Sequence, residues 1–126
     1  MPNVLDSSAV LAAIYCEAGC DVAANLMEGG LLSCVNLVEV HTKLLLDGVG
    51  EKLARKQIAN LGCEICPLDA EQAQIASEMI WQTRPHGLSL GDRSCLALAI
   101  QRGATVYTAD RAWANLSLGI KVEVIR

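Results

Sequence analysis

The hydrophobic pattern of the chain alternates between short, continuously apolar runs and longer stretches with helical spacing. "PNVLD" predicts a strand ended by the polar Ser7–Ser8 pair, and "SSAVLAAIYCEAG" a helix that stops at Gly19. A second helix is predicted over "DVAANLMEG", a brief strand over "LLSC", and a long helix over "VNLVEVHTKLLLDGVG". "EKLARKQIANLG" is amphipathic, with Leu53, Ile58 and Leu61 set against Lys52, Arg55 and Lys56. "CEICPL" reads as the third strand. "DAEQAQIASEMIWQTR" reads as one helix opened by Asp69 and closed before Pro85. A loop at "HGLS" leads into the helix "LGDRSCLALAIQRG", the strand "ATVYTA", a short helical turn at "DRAWANL" and a final strand at "KVEVI". Strands that alternate with helices, and that are apolar on both faces, belong to parallel sheets covered on both sides. The expected architecture is a three-layer α/β fold, a short central parallel sheet of four to five strands flanked by helices, with residues 1–126 as a single domain.

In such sheets, sites form outside the carboxyl ends of the strands. Asp6 and Asp110 fall at strand ends of this kind, and Glu39 and Asp92 fall in the first turns of helices entering near the same edge. Each acid has a local explanation. Ser89 with Asp92 has capping-box spacing, and so does Asn36 with Glu39. Asp110 can cap the turn that begins at Arg111, and Asp6 can accept from the amides of Ser8 and Ala9. Gathered in one pocket, however, the four carboxylates repel one another, and one or more is then held protonated at neutral pH. A hard divalent ion such as Mg²⁺ or Mn²⁺ removes that conflict through oxygen ligands, and it can activate water against a phosphate ester. Spacing alone leaves capping and metal binding both open.

Composition narrows the classes. Hydrophobic residues make up 52% of the chain, so most elements are expected to be buried on more than one side. No apolar run is long enough for a membrane span, and "MPNVLDSS" has no secretory leader pattern, so a cytoplasmic location is expected. The formal charge of -4 argues against binding nucleic acid through a broad basic surface. It leaves open a nucleic-acid substrate held through metal ions. Six cysteines in a chain without a leader are expected to be reduced. "CEIC" has half a zinc-site spacing, but strand alternation sends Cys63 and Cys66 to opposite faces, and no second ligand pair completes a site.

The stretches around the four acids resemble PIN-domain ribonucleases, specifically VapC-type toxins of bacterial toxin–antitoxin pairs. "VLDSSAVLA", "NLVEV", "GLSLGDRSCLALA" and "ATVYTADRAW" match in order and spacing, and the resemblance spans the whole chain. It implies a Mg²⁺- or Mn²⁺-dependent endoribonuclease acting on structured RNA, held inactive by a VapB-type antitoxin and forming a homodimer. Asp6 and Asp92 become the principal metal ligands, Glu39 and Asp110 complete the cluster, and Ser7 and Thr108 are supporting hydroxyls. The implied reaction is in-line hydrolysis that leaves a 5′-phosphate and a 3′-hydroxyl.

Other residues carry weaker signals. Arg93 and Arg111, which directly follow Asp92 and Asp110, and Arg84 are candidate RNA phosphate contacts; the alternative is solvated arginines at helix ends. His86 reads as a loop residue, and His41 is turned about 200° from Glu39 around its helix. Trp113 is expected in the core or as a staple, and the scarcity of aromatics disfavours base-stacking modules. Exposed apolar surface around "EKLARKQIANL" would suit an antitoxin segment or a homodimer face. Competing readings are a metal-dependent phosphatase or DNA nuclease, a phospho-receiver-like domain, and a partner-binding domain without nuclease activity. A phosphatase wants an acid two residues after Asp6, where Ser8 stands, and a receiver wants a lysine after a late strand, where Arg111 follows Asp110.

Overall fold

A computed structural model describes residues 2–126. Five parallel strands form one sheet: β1 (Asn3–Leu5), β2 (Leu31–Ser33), β3 (Glu64–Cys66), β4 (Thr105–Thr108) and β5 (Val122–Val124), in the order β3-β2-β1-β4-β5. The chain first builds outward from β1 to β2 and β3, then returns to lay β4 on the other side of β1. That reversal creates a crevice at the carboxyl ends of β1 and β4, where side chains can be held without blocking a helix crossover.

Register places Val4, Leu31 and Val106 abreast, and the next residues, Leu5 and Tyr107, on the opposite face. The first set packs with α5 (Ala70–Glu78) and α7 (Leu90–Arg102), through Ala76, Cys95, Leu96, Ala97, Leu98 and Ala99. The second, with Leu32, packs under α1 (Ser7–Tyr15), α2 (Cys20–Met27), α3 (Cys34–Leu46) and α4 (Glu51–Asn60), through Val10, Ala23, Met27, Val40, Leu44 and Ala54. The expected three layers are present, with all five expected strands. Cys63 packs with the second cluster and Cys66 with the first, on opposite faces as alternation requires. Trp113 is fully buried in the first cluster, a core position.

Two elements differ from the sequence expectation. The helix expected to run from Asp69 to Arg84 breaks: α5 ends at Glu78, α6 covers Ile80–Thr83, and a 3₁₀ turn covers Arg84–His86. The Ala76 carbonyl, within four residues of that break, accepts from Arg93 Nη1 at 2.9 Å. The helix expected to open at Val35 begins at Cys34, with Ser33 as the residue whose hydroxyl caps it through the Val35 amide. Asn36 is therefore inside the helix and not its cap, and Glu39 lies in the second turn. Among the described residues no single helix is long and apolar enough to cross a membrane. The α1–α2 pair passes by composition, but the two helices are bent 109° from each other.

Candidate active site

Asp6 follows β1 directly and caps α1, accepting from the Ala9 amide at 2.9 Å and from the Ser8 hydroxyl at 2.7 Å, both on Oδ1. Its second oxygen accepts from Thr108 Oγ1 at 2.8 Å, across the crevice between β1 and β4. Thr108 Oγ1 also accepts from the Asp110 amide, and Ser8 Oγ accepts from the Ala109 amide. One hydroxyl network thus locks the loop after β4 onto the start of α1. Asp6 is 3% exposed, and burial pushes its carboxyl up to about 6 despite these donors, with Asp92 adding to the rise.

Asp92 stands at the third position of α7 in a complete capping box: its Oδ2 accepts from the Ser89 amide at 2.8 Å, and Ser89 Oγ accepts from the Asp92 amide at 3.2 Å. Partial burial raises its pKa, and the charges of Glu39 and Asp110 raise it further. Asp110 caps the 3₁₀ helix Arg111–Asn115 through the Ala112 amide at 2.9 Å. Glu39 accepts from Ser7 Oγ and from Asn36 Nδ2, both at 2.8 Å on Oε1. The capping explanation and the clustering explanation are therefore compatible. Each aspartate serves a local turn with one oxygen, while Asp92 interacts electrostatically with Asp6, Glu39 and Asp110.

After these local bonds, Asp92 Oδ1, Asp110 Oδ2 and Glu39 Oε2 have no hydrogen-bond partner among the described residues. No three His, Cys, Asp or Glu side chains there converge closely enough to enclose an ion by themselves. The set of free oxygens on Glu39, Asp92 and Asp110 suits a hard ion such as Mg²⁺, which binds through one or two carboxylates and keeps several waters. It does not suit a closed zinc-type cage. The charged donor set, with Asp6 and Asp92 both short of neutralisation, fits a divalent cation. Two surface cavities lie elsewhere, one lined by Ile75, Met79, Ile100 and Leu118 and the other by the start of α4. Of the four acids, Asp110 is exposed, Glu39 and Asp92 are half-buried, and Asp6 is buried.

The three arginines separate. Arg84 and Arg111 are exposed and make no ion pair among the described residues. Arg93 is turned toward the α5 break, bound to the Ala76 carbonyl, with its Nε buried and unpartnered. Arg93, adjacent to Asp92 in sequence, thus directs one guanidinium nitrogen to the neighbouring helix. His86 ends the 3₁₀ turn, apart from the acid network. The residues that sequence reasoning missed are Ser8, whose hydroxyl joins Asp6 to the β4 loop, and Gly91, against which the Glu39 carboxylate lies. Gly91 has no left-handed φ, so a glycine within the first turn of a helix was the available signal.

A family model described as the PIN domain matches residues 4–118. Among curated proteins none matches. Several solved structures share the fold. A toxin–antitoxin complex from Klebsiella pneumoniae superposes with a TM-score of 0.77 at 14% identity, covering 100% of this chain and 98% of that one. DNA-bound VapBC from Salmonella typhimurium gives 0.77 at 16% identity, covering 100% and 99%. The Sarcin-Ricin loop cleaving toxin VapC20 from Mycobacterium tuberculosis gives 0.71 at 16% identity, covering 91% and 96%.

Proposed function

This chain belongs to the PIN-domain family, and from that premise we propose that it is a single-domain, divalent-metal-dependent endoribonuclease, the toxin of a VapBC-type pair. The reading is supported by Asp92 lying near enough to Asp6, Glu39 and Asp110 for their charges to act on one another, with unpartnered oxygens on Glu39, Asp92 and Asp110. RNA as the polymer is supported by the fold shared with a toxin that cleaves the Sarcin-Ricin loop.

Asp6 and Asp92 would hold the ion, Mg²⁺ or Mn²⁺, with Glu39 and Asp110 acting directly or through its waters. When bound, such an ion lowers the pKa of water and stabilises charge on a phosphate oxygen. The chain's own contribution is geometric. Thr108 and Ser8 fix the Asp6 carboxylate by hydrogen bonds, and Ser7 does the same for Glu39. The Ser89–Asp92 box fixes the first turn of α7 and leaves Asp92 Oδ1 without a donor among the described residues. Arg111 and Arg84 are exposed and are proposed to receive phosphates as bidentate donors. No proton acceptor other than a carboxylate is needed, which leaves His86 and His41 without a catalytic part.

A VapB-type antitoxin is proposed as the partner, supported by the toxin–antitoxin complexes that share the fold. Val38, Leu45 and Leu46 on α3 and Leu53 on α4 are exposed apolar side chains, suited to an antitoxin segment or to a second copy of this chain in a homodimer. A cytoplasmic site of action is proposed with it.

The test follows cleavage of a mixed RNA substrate in Mg²⁺, in Mn²⁺ and in chelator, by the wild type and by Asp92→Asn purified identically. Metal-dependent cutting that Asp92→Asn loses is the expected result. Equal cutting by both proteins, or cutting that survives chelator, would defeat the reading.

A further inference from the structure

Glu39 differs from the three aspartates in having a longer, more flexible side chain, which by itself would leave its carboxylate free to wander among rotamers. Two hydrogen bonds hold it, and the lack of a side chain at Gly91 leaves it room. Ser7 Oγ and Asn36 Nδ2 both donate to Oε1, at 2.8 Å each. Gly91, at the second position of α7, has no Cβ, and one placed there would lie 2.7 Å from Glu39 Cδ and 2.8 Å from Oε1, and would overlap Oε2 as well. Nothing in the backbone asks for glycine at that point, since Gly91 has no left-handed φ and a helix interior favours alanine.

Asn36 is fully buried, and its amide orientation is settled by chemistry. Nδ2 faces two acceptors, Glu39 Oε1 and the Gly91 carbonyl at 3.1 Å; turning the amide over would set oxygen against oxygen twice. The same NH₂ group that holds Glu39 therefore also ties α3 to the residue immediately before Asp92. Oε2 is left as the carboxylate oxygen of Glu39 without a protein donor, lying against the first turn of α7.

We propose that Asn36 and Gly91 are positioning residues, which fix the Glu39 carboxylate over the first turn of α7 so that Glu39 and Asp92 are presented to one ion as a preset pair. The proposal rests on the nuclease reading above and assigns roles to residues outside the acid quartet. A residue that orients a ligand without touching the ion commonly costs 10–100-fold in metal affinity when removed.

The experiment is a calorimetric Mn²⁺ titration of the wild type, Asn36→Ala, Gly91→Ala, Glu39→Asp and the double variant Glu39→Asp/Gly91→Ala, with thermal unfolding of each in chelator. Asn36→Ala and Gly91→Ala are each expected to weaken Mn²⁺ by about tenfold or more. With the shorter aspartate at 39 the carboxylate withdraws from the space a Cβ at 91 needs. Gly91→Ala is then expected to cost less than about threefold, a non-additivity that general loosening of the helix would not produce. Wild-type binding with Asn36→Ala and Gly91→Ala unimpaired would overturn the positioning proposal alone. So would an equal loss from Gly91→Ala in both backgrounds. Absence of Mn²⁺ binding by the wild type would overturn the nuclease reading itself, and this proposal with it.

Discussion

Asp6 accepts three hydrogen bonds, each of which favours its charged form, and is still pushed up to about 6 because burial outweighs them. The sign of the consequence follows by linkage. The folded chain holds this proton more tightly than the unfolded one, so the group's contribution to stability is full below about pH 4 and is lost as pH rises through about 6. Asp92 is raised too and adds in the same direction. Chelator-treated protein should therefore lose up to about 3 kcal/mol of stability between pH 4 and pH 7, with Asp6 as the main source. Denaturant unfolding across that range should show the slope in the wild type and a much flatter profile in Asp6→Asn. Mn²⁺ should restore the loss at pH 7.5 and do little at pH 5, where protons compete for the same oxygens. At this scale the sequence was informative about capping: the Ser89–Asp92 box, Asp6 on Ala9 and Asp110 on Ala112 all follow from spacing. Asn36 was legible only as a cap, because its other partner, Gly91, is 55 positions away.

At the scale of elements, strand positions were legible because each is a short apolar run bounded by polar or glycine residues. The break between α5 and α6 was not. The composition from Asp69 to Arg84 is helical throughout, and the group that binds the Ala76 carbonyl beside the break, Arg93, comes 17 residues later. Arg93→Ala should therefore act on stability, by about 1 kcal/mol after allowance for its partial exposure, with cleavage kinetics little changed. Denaturant midpoints and kcat/KM, measured together, check this. A raised KM at unchanged stability would return Arg93 to the substrate. The early start of α3 has a local origin. Ser33 ends β2 and caps the helix at once, which places Glu39 a turn deeper and within reach of Ser7 on α1.

For the whole molecule, the parallel three-layer architecture was legible from alternation alone, but the strand order was not. The crevice flanked by Asp6 and Asp110 depends on β4 returning beside β1, a pairing of residues about a hundred positions apart. The outer surface of α3 and α4 carries a different consequence. Leu46 is 80% exposed, so Leu46→Glu should shift stability by no more than about 0.5 kcal/mol. The same variant should weaken antitoxin binding or self-association, as read by sedimentation. Above all, the proposed metal-dependent nuclease has water, rather than the RNA's own 2′-hydroxyl, attack phosphorus. The measurement that tests this most directly is the end chemistry of RNA fragments produced in Mn²⁺ by the wild type, with Asp92→Asn as the parallel control. The account predicts 5′-phosphate and 3′-hydroxyl ends that are missing from the variant. Fragments ending in 2′,3′-cyclic phosphate, with 5′-hydroxyl partners, would contradict it.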